Sequence, residues 1–401
     1  MNKDFNRKID RSKNNERKWS IEYLEENYKI DFSKKFYNLS IADLDFQTPK
    51  PIVKSIISRA KKKTYSYTYT KRESLEAIKI WYKKMHNIIL EIDLIKLVHG
   101  TVNAMFEVVK CFTKKNESVL IQSPIYQPFE RSIIKTKRSV IYNNLIYKNN
   151  NYYINFENFE SQIVKNKIKL FLWCNPHNPG GRVWEETEIL KIIEICNRHN
   201  VLIFSDEVHG DLVLNQKHNS LWNYSSQFNN FIVCNSPNKT FNLGGLKGSY
   251  MICSNKKILE QISNQYESDS LTSSNIFFQP ALVSAYTNSY SYNWLQTLKR
   301  YIYSNYIFLT QELSSFKNLE IMQMEASYLV WIKLKLNLDL KELKQQFIDN
   351  NLILSYSDDF ADCKDIWIRL NIGINKRNLK EVIKKIKLVL LITKGEKNEN
   401  N

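Results

Sequence analysis

The chain has 401 residues, enough for two domains or for one large domain with a smaller companion, and its 43% hydrophobic content allows a substantial core. A formal charge of +17 raises nucleic-acid binding, but the basic runs are short and no nucleic-acid fold motif accompanies them, so the excess reads as a lysine-rich surface and no nucleic-acid partner is expected. None of the 6 cysteines forms a Cys-x-x-Cys pair, no apolar stretch reaches about 18 residues, and Met1 opens a polar segment; buried, reduced thiols are therefore expected rather than a disulfide framework, no membrane span or secretory leader is expected, and the expected location is cytoplasmic.

Residues 1–18 are charged and polar and read as an extended arm. Strand-like runs follow at 118–122, 169–174, 201–205, 231–235 and 249–253, separated by helix-like segments that include 102–112 and 185–199. Such alternation predicts an α/β fold with a mostly parallel sheet flanked by helices. After about residue 290 the pattern changes to a long Tyr-rich helical stretch, then strands at 327–336 and 365–372. A helix at 339–350, with Asp339 as its N-cap, completes a second and smaller α/β unit. The tail from Lys394 to Asn401 reads as disordered.

The candidate chemistry sits at strand ends. Gly100-Thr101-Val102 leads into an apolar helix whose first N–H groups can bind phosphate. Tyr126 lies in a Pro-bounded loop and can stack on a planar ring or pack in the core. Asn175-Pro176-His177-Asn178-Pro179-Gly180-Gly181 forms a rigid turn. Asn178 there is either an ordinary turn residue or a donor to a phenolate oxygen. Asp206, in Ser205-Asp206-Glu207-Val208-His209-Gly210-Asp211, can hold a pyridinium N–H. The same run offers a metal site from Asp206, Glu207, His209 and Asp211, but no second His at useful spacing joins it, and no metal is expected.

Lys239 follows an apolar strand and precedes a glycine-rich turn in Ser236-Pro237-Asn238-Lys239-Thr240-Phe241-Asn242-Leu243-Gly244-Gly245. A desolvated lysine there can lose its proton and condense with an aldehyde. Arg369 is a charge inside an apolar strand and needs a carboxylate partner, structural or substrate.

Taken in order, Gly100-Thr101-Val102, Tyr126, Asn178, Asp206, Ser236-x-x-Lys239 and Arg369 resemble the active-site series of fold type I pyridoxal-phosphate enzymes, the class I/II aminotransferase superfamily. Ile41-Ala42-Asp43-Leu44-Asp45-Phe46-Gln47-Thr48-Pro49 and the Ser205–Leu212 run resemble its cystathionine β-lyase, or C–S lyase, branch. That branch carries His209 where aminotransferases often carry Tyr. The resemblance implies pyridoxal 5'-phosphate carried on Lys239, which also moves the α-proton. It further implies Asp206 on the pyridine nitrogen, Asn178 on the phenolic oxygen with His209 nearby, and Tyr126 stacked on the ring. Thr101, Val102 and Ser236 would hold the phosphate, with Tyr67 donated across a homodimer interface, and Arg369 would bind the substrate α-carboxylate.

Three positions depart from the pattern. Asn238 stands where Ser is common, Lys247 where many aminotransferases place a phosphate-binding Arg, and Glu325-Ala326-Ser327-Tyr328 where Gly-Thr-Tyr is usual. Lys247 is still expected to serve the phosphate as a point charge. The implied division is an arm and part of the small domain at 1–45, a large cofactor-binding domain at 46–290, a small domain at 291–390 and a tail at 391–401. The implied reaction is β-elimination from L-cystathionine or a related cysteine S-conjugate, giving a thiol, pyruvate and ammonia. The alternatives are an aminotransferase on the same site, or a regulatory protein that keeps the fold.

Overall fold

The computed structural model describes residues 5–7, 9–28, 30–336 and 339–395. The main sheet has seven strands: β1 (Ile95–Val98), β2 (Ser118–Ser123), β3 (Ser139–Asn144), β4 (Leu170–Cys174), β5 (Leu202–Asp206), β6 (Phe231–Asn235) and β7 (Ser249–Cys253). Their order is β1-β7-β6-β5-β4-β2-β3. Only β7 pairs antiparallel with its neighbours; the other pairings are parallel.

Strands β4 to β7 are buried along their whole length. Helices cover both faces, so these strands read as unbroken apolar runs rather than alternating ones. The two-residue period still sorts their side chains. Phe171 and Trp173 enter one core, while Leu170, Leu172 and Cys174 enter the other. The first core is closed in part by α1 (Arg72–His86), the second by α2 (Thr101–Phe112). α1 packs on α3 (Phe278–Thr287), where the Trp81 and Tyr286 rings stack at 4.7 Å and 7°.

A second, antiparallel sheet follows: β8 (Leu319–Ile321), β9 (Leu329–Leu334), β10 (Ser355–Tyr356) and β11 (Trp367–Asn371), in the order β8-β9-β11-β10. The short strand Tyr37–Asn38 pairs with Leu352–Ile353, which ties the N-terminal segment to the C-terminal part. Asp339 caps the helix Leu340–Asp349 as expected, accepting from the Glu342 N–H at 2.8 Å.

The structure corrects four expectations. Strands β1 and β3 went unread, because the first is short and carries Lys96 and the second has only Asn143 fully buried. The strand expected at 327–336 is shorter, since Ser327 takes φ 74° and gives its N–H to the Leu212 carbonyl. The expected arm is instead packed: Phe5 is fully buried with its ring 4.9 Å from that of Phe46, and Arg11 and Lys18 are buried against Asp43 and Asp45. The expected tail begins inside the helix Lys376–Gly395, and residues 396–401 lie outside the described residues.

Gly248 joins Lys247 to β7, and a Cβ there would stand 2.0 Å from the Phe278 ring. Gly248→Ala is therefore expected to lower stability by about 3 kcal/mol in urea unfolding, through overpacking. Adding Phe278→Leu should recover part of the loss; an unchanged midpoint for the double variant would place the cost elsewhere.

Candidate active site

The carboxyl ends of β4, β5 and β6 lie at one edge of the sheet, with Cys174 registered to Asp206 and Asp206 to Cys234. Ligand crevices in open α/β sheets form at such edges. A cavity of about 770 Å³ opens there. It brings together Thr101, Val102, Tyr126, Asn178, Asp206, His209, Lys239, Lys247 and Arg369, nine positions singled out in the sequence.

Lys239 sits on the one-turn helix Pro237–Thr240 just beyond β6. Ser236 caps that turn: its Oγ accepts from the Asn238 N–H at 3.1 Å and donates to the Gly248 carbonyl at 2.7 Å. The Ser236 hydroxyl is thus committed to the fold, and Ser236 does not line the cavity. The Lys239 Nζ donates to the Ala42 carbonyl at 2.7 Å. Burial lowers the ammonium to about 8. The Asp43 and Asp206 charges oppose that shift, and those of Arg369 and Lys247 add to it.

Asp206 ends β5 and accepts the Val208 N–H at 3.2 Å. Burial raises its carboxyl to about 7, against the pull of that N–H and of the Lys239 charge. Among the described residues it has no ion-pair partner within 4 Å. His209 is buried and neutral: desolvation drops it to about 3, and the Lys239 and Arg369 charges push the same way. Its Nδ1 has no hydrogen-bond partner among the described residues.

Arg369, on β11, is 5% exposed. Its Nη1 donates to the Asn178 Oδ1 at 3.0 Å, and its Nη2 to the Ser40 carbonyl at 2.9 Å and the Ser355 Oγ at 3.3 Å. Its buried Nε lacks a partner, and among the described residues no carboxylate pairs with the guanidinium. The Asn178 oxygen is therefore turned to Arg369, which leaves its amide free to donate.

Thr101 and Val102 open α2 behind Gly100, whose φ of 107° suits glycine and which supplies no side-chain cap. The first N–H groups of that helix are available to an anion, with Lys247 at the same cavity. Tyr67 stands apart: it is 98% exposed and lines a different groove. Glu207 and Asp211 also turn away. Glu207 accepts from His218, Ser205 and the Leu221 N–H, while Asp211 accepts from Trp81 and Thr240 and contacts His86.

Three contributors were not read from the sequence. The Ala42 carbonyl meets Lys239 through the backbone, which residue type does not reveal, although it lies in the Ile41–Pro49 run already singled out. Arg17 and Tyr23 also line the cavity, and nothing in their local pattern signals it.

Among the described residues, a buried lysine with a lowered pKa, a buried acid without a cation and an arginine without a carboxylate share one cavity, which marks a functional site and suits an amino acid handled through a carbonyl cofactor. Residues 34–386 match the family described as aminotransferase class I and II, and the chain belongs to that family. Cystathionine β-lyase PatB of Bacillus subtilis (strain 168) is 31% identical over 358 residues, covering 87% of this chain and 91% of that protein. Cystalysin from Treponema denticola, which contains a pyridoxal 5'-phosphate cofactor, superposes with a TM-score of 0.91 at 26% identity over 96% of this chain and 98% of its own. The PLP-bound C–S lyase from Staphylococcus hominis, complexed with L-cycloserine, gives 0.87 at 28% identity over 96% and 98%.

The cofactor is pyridoxal 5'-phosphate. The cavity fits it: a helix N-terminus and Lys247 suit a phosphate, the Lys239 amine an aldehyde, and the buried carboxyl of Asp206 a ring N–H.

The burial of Asp206 has a measurable cost. Its folded pKa lies above the unfolded value, so its contribution is most favourable below about 4 and is lost as pH rises to about 7. In cofactor-stripped protein, Asp206→Asn is expected to be more stable than the parent at pH 8, by about 2–4 kcal/mol. The advantage should shrink toward pH 5. Urea midpoints across that range decide it; a pH-independent difference would show that Asp206 titrates normally.

Proposed function

We propose that the protein is a carbon–sulfur β-lyase that cleaves L-cystathionine, or a related cysteine S-conjugate, to a thiol, pyruvate and ammonia. The carrying observation is Lys239, its amine lowered to about 8 by burial, in one cavity with Asp206 and Arg369. The likeness to cystathionine β-lyase PatB over most of the chain favours elimination over amino transfer.

Arg369 binds the substrate α-carboxylate through its guanidinium, and Asn178 fixes the plane of that guanidinium. Lys239 would carry pyridoxal phosphate and Asp206 would hold its ring N–H. Asn178 would donate to its phenolic oxygen beside the neutral His209, Tyr126 would lie against its ring, and Thr101, Val102 and Lys247 would take its phosphate. Ser236 shapes the turn that presents Lys239. The bound cofactor supplies the electron sink for charge developing at the substrate α-carbon. The Lys239 Nζ takes the α-proton, for which an amine near 8 is well matched at neutral pH. The thiolate then departs from the β-carbon; across the whole reaction one water is consumed and thiol, pyruvate and ammonia are released.

Incubation with L-cystathionine, following pyruvate and free thiol with and without an added keto acid, tests the reading. Lyase activity proceeds without the keto acid; strict dependence on it would make the enzyme an aminotransferase. Lys239→Ala is expected to lose at least ~1,000-fold in pyruvate formation while keeping its far-UV circular dichroism. Near-parental turnover would remove Lys239 from this role.

We further infer a cytoplasmic homodimer in which Tyr67 reaches the partner's phosphate. The support is that Tyr67 is 98% exposed and lines a groove other than its own cavity, with Tyr65 and Tyr69 exposed beside it and Val53 and Ile57 exposed on the helix Lys50–Ala60. Tyr67→Phe is expected to weaken cofactor retention. At limiting cofactor, mixing it with Lys239→Ala subunits should raise activity above that of either variant alone, because each mixed dimer holds one intact site. A fully active monomer in sedimentation would overturn this assembly.

A further inference from the structure

The charged groups lining the cavity divide unevenly. The cations are Arg17, Lys239, Lys247 and Arg369; the acids are Asp206 and Glu107. Glu107 is satisfied by Lys110 at 2.7 Å. The proposed function employs Lys239, Lys247, Arg369 and Asp206 and leaves Arg17 without a task. Arg17 is exposed at the cavity, and among the described residues no carboxylate lies within ion-pair distance of it. The Tyr23 ring lies 5.9 Å from the guanidinium and is itself part of the cavity wall.

The backbone beneath Arg17 is anchored. The next residue, Lys18, is fully buried, with its Nζ 2.8 Å from Asp45 and 3.3 Å from Asp43. Arg11 binds the same two carboxylates at 2.8 and 3.2 Å. The Trp19 Nε1 donates to the Asp45 Oδ1 at 3.3 Å, and Ser20 caps the helix that carries Tyr23. Glu16, the nearest acid in sequence, is occupied by Arg11. An exposed cation lining a cavity, with no anion paired to it among the described residues, is an electrostatic complement for a second negative charge on the ligand.

Resting on the lyase reading, we propose that Arg17, with Tyr23 beside it, is a specificity subsite for a second carboxylate at the far end of the substrate. The substrate class it selects is a thioether with an amino acid at both ends, such as L-cystathionine, in preference to a simple S-alkyl cysteine. Arg369 takes the carboxylate at the reacting end and Arg17 the distal one. The ion cluster of Arg11, Lys18, Asp43 and Asp45, in which both cations are buried, makes the subsite part of the folded chain.

Two ligands without a β leaving group test this by binding alone. L-2-aminosuberate places a distal carboxylate the same number of chain atoms from the α-carbon as L-cystathionine does, and L-2-aminooctanoate ends in a methyl group instead. Calorimetric titration of the holoenzyme is expected to show the dicarboxylate bound roughly tenfold more tightly. In Arg17→Ala the ratio should fall to near one, and Arg17→Lys should keep part of it, as a point charge without the guanidinium fork. A ratio near one in the parent, or a ratio preserved in Arg17→Ala, overturns the proposal. If the ratio behaves as expected but L-cystathionine yields no pyruvate, the subsite stands and the lyase reading fails.

Discussion

The Lys239 ammonium meets the Ala42 carbonyl at 2.7 Å, and that contact joins three distant parts of the chain. Ala42 belongs to a segment with little regular structure, so its carbonyl has to be held by its neighbours. Tyr328 donates to the same oxygen at 3.1 Å. Asn371 donates to the carbonyls of Ile41 and Asp43, Asn242 to that of Leu44, and Arg11 and Lys18 hold the adjoining carboxylates. The main sheet presents the lysine, the N-terminal segment presents its acceptor, and the second sheet fixes both that segment and Arg369. Every part of the site depends on this convergence.

The site holds charge that the fold leaves uncompensated. Asp206 is raised, Lys239 is lowered, and among the described residues the buried Nε of Arg369 has no partner. Such groups are costly to bury and persist only where the surroundings are rigid. Rigidity comes from packing away from the chemistry, including the Trp81–Tyr286 stack and the Trp331–Trp367 stack at 5.0 Å and 5°. A cofactor bearing a phosphate, an aldehyde and a ring N–H answers each of these groups in turn, which joins stability to function at the same atoms.

The sequence by itself determined the α/β class, the central strands and the residues at their carboxyl ends. Strands β4 to β6 are buried on both faces, so their apolar runs are unbroken and their ends are marked by Asn175, Asp206 and Ser236. Chemistry concentrated at such ends is legible because residue type and strand end coincide. The edge strands were not legible, since a strand such as Ser139–Asn144 with polar, half-exposed side chains carries no periodic signal.

Only the tertiary structure decided what the N-terminal segment does and which candidates share a cavity. Residues 1–18 read as a charged arm because their lysines and arginines are scattered, yet Arg11 and Lys18 are buried by acids more than twenty residues away. It also separated Ser236 and Tyr67 from the nine residues that meet: one hydroxyl is spent on a helix cap, and the other side chain points to solvent. Local sequence encodes propensity and pattern, whereas a hydrogen bond to a distant carbonyl, or an ion pair closed across the fold, depends on coordinates that no local window contains.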